Sequence, residues 1–157
     1  AEGVPVIRTM AGVFSTEEEW MSVYDLEATF AAMDKLVAYC EKYHIGLIMS
    51  LMWNYWNFYE MNGENPADCL GDPNAKGTQT MVSYVKAMVS RYKDSPAVFA
   101  WEVGNENLLH ADLGDITTAQ MVDYYEIFRD TVREIDPYRM IEAGDGCPRP
   151  YSYYPLS

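Results

Sequence analysis

An apolar run that ends in two polar side chains lies near the middle of the chain: Phe99-Ala100-Trp101-Glu102-Val103-Gly104-Asn105-Glu106. Its short length and the glycine near its end are typical of a buried strand. Parallel α/β folds place their chemistry at the carboxyl ends of such strands, because the loops there line the crevice. We therefore expect Asn105 and Glu106 to belong to a functional site.

Three further apolar runs predict strands at residues 4–10, 45–52 and 140–143. Apolar residues at helical spacing lie between the four runs. The predicted helices begin at Asp25, at Thr78 or Thr80, and at Thr117, and they end near His44, Ser95 and Asp136. Residues 53–77 are predicted to form a long loop rich in aromatic side chains. This strand and helix alternation predicts a parallel sheet built by right-handed crossovers.

Two architectures contain such units, an open doubly wound sheet and an arc of a closed eight-stranded barrel. The chain has neither a GxGxxG nor a GxxxxGK[ST] motif, and their absence weakens the case for an open doubly wound sheet. A whole barrel needs about 250 residues. With 157 residues, the chain is expected to be α/β, with parallel (β/α) units that form a partial TIM barrel as a single domain over residues 1–157.

The charge balance narrows the class of ligand. A formal net charge of -13 repels phosphate backbones and anionic membranes, so neither nucleic acid nor a membrane is expected as a partner. Aromatic rings beside carboxylates suit a neutral polyhydroxylated ligand such as a sugar. The three cysteines have no metal-site spacing, and we expect no metal and no cofactor; pairing of Cys69 with Cys147 stays open.

A carboxyl group at the end of a parallel strand is expected to be partly shielded from water, which raises its pKa. Such a group can act first as a general acid and then as a base. Sugar cleavage needs a second carboxylate, about 5 to 5.5 Å away for retention or roughly 6.5 to 9.5 Å away for inversion. Glu142 and Asp145 are the local candidates, and the sequence favours neither.

The passage from Arg91 to Glu106 resembles the stretch leading into the fourth strand of retaining (β/α)8 glycosidases. The similarity is to glycoside hydrolase family 5, and within it to β-mannanases and related cellulases. Residues 47–51 with Trp53 and Asn54 resemble the third strand and its loop in those mannanases, and Ile7-Arg8 resembles the second strand. The likeness covers most of residues 4–145 and implies the region from about strand 2 to strand 5.

The resemblance implies a role for each matching residue. Glu106 becomes the general acid/base, Asn105 contacts the sugar 2-hydroxyl, and Arg8 orients the nucleophile. Glu102 is expected to be an inward-facing structural carboxylate. The residues expected to bind substrate are Trp53, Asn54 and Trp56.

Two departures from the family pattern stand out. Asn107 replaces a common Pro, and the family's nucleophile Glu on the seventh strand has no counterpart. The implied function is retaining hydrolysis of β-mannan or β-glucan by a secreted, extracellular enzyme of which this chain is one half. The alternatives are a non-catalytic carbohydrate-binding or scaffold module and a flavodoxin-like binding domain.

Half a barrel leaves two sheet edges unpaired, so we predict self-association or a partner that supplies the C-terminal half of the barrel. Sedimentation of the purified chain at micromolar concentration should reveal species larger than the monomer. A stable, well-folded monomer under these conditions would contradict the prediction.

Overall fold

The computed structural model describes residues 3, 5–12 and 23–146 of the chain. Strands and helices alternate along it, as the sequence patterns predict. In chain order the elements are β1 (Val6–Met10), α1 (Leu26–Tyr43), β2 (Gly46–Met52), α2 (Trp56–Glu60), α3 (Pro66–Cys69), α4 (Lys76–Tyr92), β3 (Val98–Gly104), α5 (Leu108–Leu113), α6 (Thr118–Arg133) and β4 (Met140–Glu142).

The four strands form one parallel sheet in the order β1-β2-β3-β4. Each strand is added on the same side of its predecessor. A doubly wound sheet instead reverses its strand order at a switch point. The partial-barrel prediction is therefore confirmed, and the flavodoxin-like alternative is wrong for the described part of the chain.

One face of the sheet packs on the helices and forms the core. Leu47, Met49 and Trp101 lie on this face and have no solvent exposure. The other face holds the charged residues Arg8 and Glu102. Because side chains alternate along a strand, apolar and charged residues of the same strands reach opposite faces.

Helices α1 and α6 begin at the capping residues that the sequence predicts. Asp25 caps α1 by accepting a hydrogen bond from the backbone N–H of Ala28. Thr117 and Gln120 form a reciprocal capping box at the start of α6. These local bonds satisfy N–H groups that have no partner within the helix, so both starts are predictable from sequence.

The segment 53–77 differs from the predicted long loop, because it contains the short helices α2 and α3. Helix α4 also starts earlier than Thr78, at Lys76. The carboxylate of Glu64 accepts hydrogen bonds from the backbone N–H groups of Lys76 and Gly77, at 2.9 and 2.8 Å. A cap supplied from 12 residues away leaves no local signal, which explains the misplaced start.

A network of hydrogen bonds joins the first half of β3 and the residues before it to the segment before β4. The indole of Trp101 donates to Asp136 at 2.9 Å, and Arg139 donates to the same carboxylate at 2.7 Å. Arg139 also donates to the carbonyl oxygen atoms of Ser95 and Val98, each at 2.8 Å. Burial raises the pKa of Asp136, but these hydrogen bonds outweigh it and the net pKa is lowered.

Cys40 lies in the core, with 2% exposure. Cys147 is outside the described residues, and so is any pairing of it with Cys69. No helix among residues 23–146 is long and apolar enough to cross a membrane.

We predict that Gly77→Ala destabilises the fold. A Cβ atom at Gly77 would lie 2.8 Å from the Cα of Tyr59 and against its ring. Tyr59 cannot move aside easily, since it is buried and its hydroxyl is 2.9 Å from Thr78 Oγ1. We expect a loss of about 2 kcal/mol in the free energy of unfolding, despite the higher helix propensity of Ala.

Urea unfolding of the chain measures this loss, with the exposed Ser83→Ala on the same helix as control. Ser83→Ala should change the free energy of unfolding by less than about 0.5 kcal/mol. Equal stability of Gly77→Ala and the unsubstituted chain would show that the Tyr59 contact tolerates a methyl group.

Candidate active site

The carboxyl edge of the sheet brings together three residues that the sequence placed in a site. Arg8 of β1 donates to both oxygen atoms of Glu102 on β3, with Nε at 2.9 and 2.7 Å and Nη2 at 2.7 Å. Its two terminal nitrogen atoms also lie 3.1 Å from Oδ1 of Asn105. One guanidinium therefore links β1 to the structural carboxylate and to the polar end of β3.

The ion pair is half buried. The Glu102 side chain is 2% exposed and that of Arg8 is 35% exposed. The hydrogen bond to Glu102 raises the pKa of Arg8. Ser50 of β2 lies beside Glu102 in the register, and its small side chain leaves room for the guanidinium to reach across β2. Glu102 is thus placed as the inward-facing carboxylate that the sequence predicts.

Glu106 occupies a turn of uncommon backbone geometry. Its φ is 51°, in the left-handed region that non-glycine residues rarely adopt. Its N–H donates to the carbonyl oxygen of Gly144 at 3.1 Å, and its own carbonyl accepts from Leu109 at 2.9 Å. Strained residues of this kind persist where surrounding structure holds them, and they cluster at functional sites.

The loop after β4 supports this turn. Asp145 accepts a hydrogen bond from the backbone N–H of Leu108 at 3.2 Å and from the hydroxyl of Tyr125 at 3.0 Å. Desolvation raises the pKa of Asp145, and these two hydrogen bonds only partly oppose it. Asp145 therefore acts as a structural cap for α5, which disfavours it as the second carboxylate of a hydrolytic pair.

Glu142 is the other candidate for a second carboxylate. It lies next to Glu102 in the register of β3 and β4. Desolvation and repulsion from Glu102 raise the pKa of Glu142, while Arg8 lowers it. Glu142 thus adjoins a carboxylate that Arg8 already neutralises, and it has no such partner position of its own in the register of the described strands.

The expected shielding of Glu106 is not supplied by the described residues, since Glu106 is exposed. Its backbone is held by the loop after β4 and by α5, through Gly144 and Leu109, but these contacts leave the side chain open to solvent. A carboxylate at the rim of four strands keeps its access to water. Shielding of the kind predicted requires further chain on the opposite side.

Glu106 borders a cleft of about 260 Å³ at the carboxyl edge of the sheet. Asn105 and Asn107 line the same cleft. Trp53 and Asn54, from the loop after β2, also line this cleft. The Trp53 ring lies beneath the guanidinium of Arg8, with Cζ 4.5 Å from the ring centroid. Four predicted site residues thus share this edge with Glu106: Arg8, Trp53, Asn54 and Asn105.

The aromatic loop divides between core and cleft. Tyr55, Phe58 and Tyr59 are buried, so they pin the segment to the core. Trp56 is half buried and stacks on His110, with ring centroids 4.3 Å apart and an interplanar angle of 20°. Trp56 does not line the cleft itself.

His110 is a cleft residue that the sequence analysis missed. Its only signal was its closeness in sequence to Glu106, four residues before it. That signal needed a helix at 108–113, which the apolar pattern did not indicate. The described residues contain no group of three or more His, Cys, Asp or Glu placed to hold a metal ion.

Comparison with known proteins agrees with this geometry. The family described as "Glycosyl hydrolases family 2, TIM barrel domain" matches residues 28–150. The chain belongs to this family. The predicted glycosidase barrel is therefore confirmed, although the matching family carries the number 2 where the sequence resemblance pointed to family 5.

The relatives are fungal enzymes named for mannan. The chain is 32% identical over 122 residues to "Probable mannan endo-1,4-beta-mannosidase F" of Aspergillus flavus, covering 72% of this chain and 24% of that protein. It is 31% identical over 133 residues to "Mannan endo-1,4-beta-mannosidase A" of Podospora anserina, covering 77% of this chain and 34% of that protein.

The structural comparison extends the likeness of fold. The endo-beta-1,4-mannanase from Thermotoga petrophila superposes with a TM-score of 0.62 at 21% identity, covering 74% of this chain and 27% of that chain. The chain spans about a quarter to a third of the length of the curated relatives named here. A mannanase-like partial barrel is thus shown for the fold and the family.

We predict that Arg8→Lys lowers the free energy of unfolding by about 2 kcal/mol. The loss is smaller than that on breaking a fully buried ion pair, because the Arg8 side chain is partly exposed. Lysine cannot donate to both oxygen atoms of Glu102 and to Asn105 with fixed geometry. Urea unfolding measures the loss.

Arg91→Lys provides the matched control for Arg8→Lys. The surface pair of Arg91 with Asp34 has side chains 40% and 45% exposed. Its substitution should cost less than about 1 kcal/mol. If both variants lose the same stability, Arg8 has no special anchoring role.

Proposed function

We propose that this chain is part of a retaining glycoside hydrolase that cleaves β-1,4-linked mannan or a related β-linked polysaccharide. The observation that carries the proposal is the Arg8–Glu102–Asn105 cluster beside the exposed carboxylate of Glu106, at the carboxyl edge of a glycosidase barrel. The mannan-cleaving relatives support the substrate class.

Glu106 is the proposed general acid/base. It first gives its proton to the glycosidic oxygen as the bond to the leaving sugar breaks and a carboxylate nucleophile attacks the anomeric carbon. It then removes a proton from the water that hydrolyses the glycosyl-enzyme ester. The turn held by Gly144 and Asp145 keeps the carboxylate over the cleft.

Asn105 and Arg8 have supporting roles in this proposal. Asn105 Oδ1 accepts from Arg8, which leaves its amide N–H groups to donate to the sugar 2-hydroxyl. That hydrogen bond would strengthen as the transition state forms. The positive charge of Arg8 at this edge would orient an ionised carboxylate nucleophile. The residues proposed to bind substrate are Trp53, Asn54 and Trp56. Trp56 acts indirectly, through the His110 ring on which it stacks.

The nucleophile is proposed to lie outside this chain, since Asp145 caps α5 and Glu142 adjoins Glu102. Residues 1–157 are accordingly one partial catalytic domain, completed by the C-terminal part of the barrel. Completion would cover the open face of the sheet, where Met10 and Met140 are 44% and 55% exposed. A secreted location fits a polysaccharide substrate.

We predict that Glu106→Ala in the complete enzyme lowers kcat on mannan by at least about a hundredfold, because acid/base assistance is lost. With a 2,4-dinitrophenyl glycoside, whose leaving group needs no proton, the glycosyl-enzyme should still form and accumulate. Added azide should then restore turnover and yield a β-glycosyl azide. Isolated residues 1–157 should show no turnover.

Glu126→Gln on the outer helix α6 is the matched control and should keep full activity. Near-normal mannan hydrolysis by Glu106→Ala would overturn the assignment of Glu106. Robust activity of the isolated 157-residue chain would overturn the placement of the nucleophile outside it.

A further inference from the structure

His110 shares the cleft with Glu106 but takes no part in the acid/base chemistry. It lies on α5, four residues after Glu106 in the sequence, and its side chain is 33% exposed. It is the histidine that lines this cleft, and its ring contacts three neighbouring side chains although it is partly exposed.

Three neighbours fix the orientation of the ring. One face stacks on Trp56, with the centroids 4.3 Å apart. Tyr55 meets it at a centroid distance of 5.8 Å and an angle of 86°. Nδ1 lies 3.1 Å from Oδ2 of Asp115. Together these contacts restrict both rotation about the side chain and flipping of the ring.

The contact with Asp115 also decides which nitrogen carries the proton. The Asp115 side chain is 50% exposed, and an ionised carboxylate can only accept hydrogen bonds. Nδ1 must therefore donate, so that Nε2 of the neutral ring is an acceptor. Within residues 23–146 we find no hydrogen-bond partner for Nε2. In its neutral form the ring thus presents to the cleft a fixed acceptor that has no donor among residues 23–146.

The order of residues along the cleft indicates which sugar would meet this acceptor. Asn105 is bonded to Arg8 at the sheet end, and it is proposed to hold the sugar whose bond is cleaved. Glu106 follows, at the position of the glycosidic oxygen. Arg8 contacts Trp53 and Asn105, whereas His110 packs on Tyr55 and Trp56. With Asn105 assigned to the cleaved sugar, this separate set of contacts assigns His110 to the sugar on the other side of the glycosidic bond, which is the leaving group.

We infer that His110, oriented by Asp115 and Trp56, accepts a hydrogen bond at Nε2 from a hydroxyl of the leaving-group sugar. This inference rests on the proposed function and assigns part of its substrate specificity. A sugar hydroxyl can donate, while an aromatic leaving group without hydroxyls cannot. His110 therefore favours oligosaccharides over aryl glycosides.

The test compares two substrates in the complete enzyme, β-1,4-mannotetraose and 2,4-dinitrophenyl β-mannobioside. His110→Ala should lower kcat/KM for mannotetraose about tenfold, the loss expected for one hydrogen bond of roughly 1.4 kcal/mol. For the aryl glycoside kcat/KM should change less than about twofold, which also shows that the variant is folded. His110→Gln, whose amide oxygen can accept, should recover part of the mannotetraose activity.

His44→Asn is the matched control. His44 ends α1 in a left-handed conformation that Asn tolerates, and His44→Asn should leave both substrates unaffected. Equal losses on the two substrates for His110→Ala would mean a structural role, and no loss on either would mean no contact; both overturn the inference. The proposed function is judged separately, by the activity of Glu106→Ala and of the isolated chain.

Discussion

The buried carboxylate of Glu102 sets the main constraint on this fold. It lies in the sheet with 1% exposure, and a charge in that position is costly unless a partner neutralises it. Arg8 provides the partner from β1, across the whole width of β2. Because its fork of N–H groups has a fixed geometry, satisfying Glu102 also aims the remaining nitrogen atoms at Asn105. The same contact therefore stabilises the sheet and arranges the edge where the cleft lies.

The loops above the sheet are coupled in a similar way. Glu106 is held in a left-handed turn by the carbonyl oxygen of Gly144, and the start of α5 is held by Asp145. Gly144 itself has a φ of 79° and packs against the backbone of Gly104, where a side chain would collide. The loop after β4 thus determines where the carboxylate of Glu106 and the ring of His110 can lie. Chemistry at this edge depends on two strands that are neighbours in space.

The partial barrel explains both the features that agree with a glycosidase and those that differ. Strand order, the glycosidase family and the polar edge agree with one. The exposure of Glu106 and of the methionines on the open face differs from a closed barrel, in which further strands and loops would cover them. These residues mark the surface that the rest of a barrel would occupy. The turn that carries Glu106 and the contacts that hold this turn are formed by the described residues alone.

The sequence by itself determined the four strands, the three long helices and the polar end of β3, because apolar periodicity, capping boxes and proline stops act over a few residues. It also identified Arg8, Asn105 and Glu106 as a group, through resemblance. Only the tertiary structure decided that Glu64 caps α4, that Asp145 supports α5, and that Trp56 packs on His110. These contacts join residues distant in sequence or loops without a periodic pattern. Their energies depend on where the sheet brings the chain back, which no local pattern records.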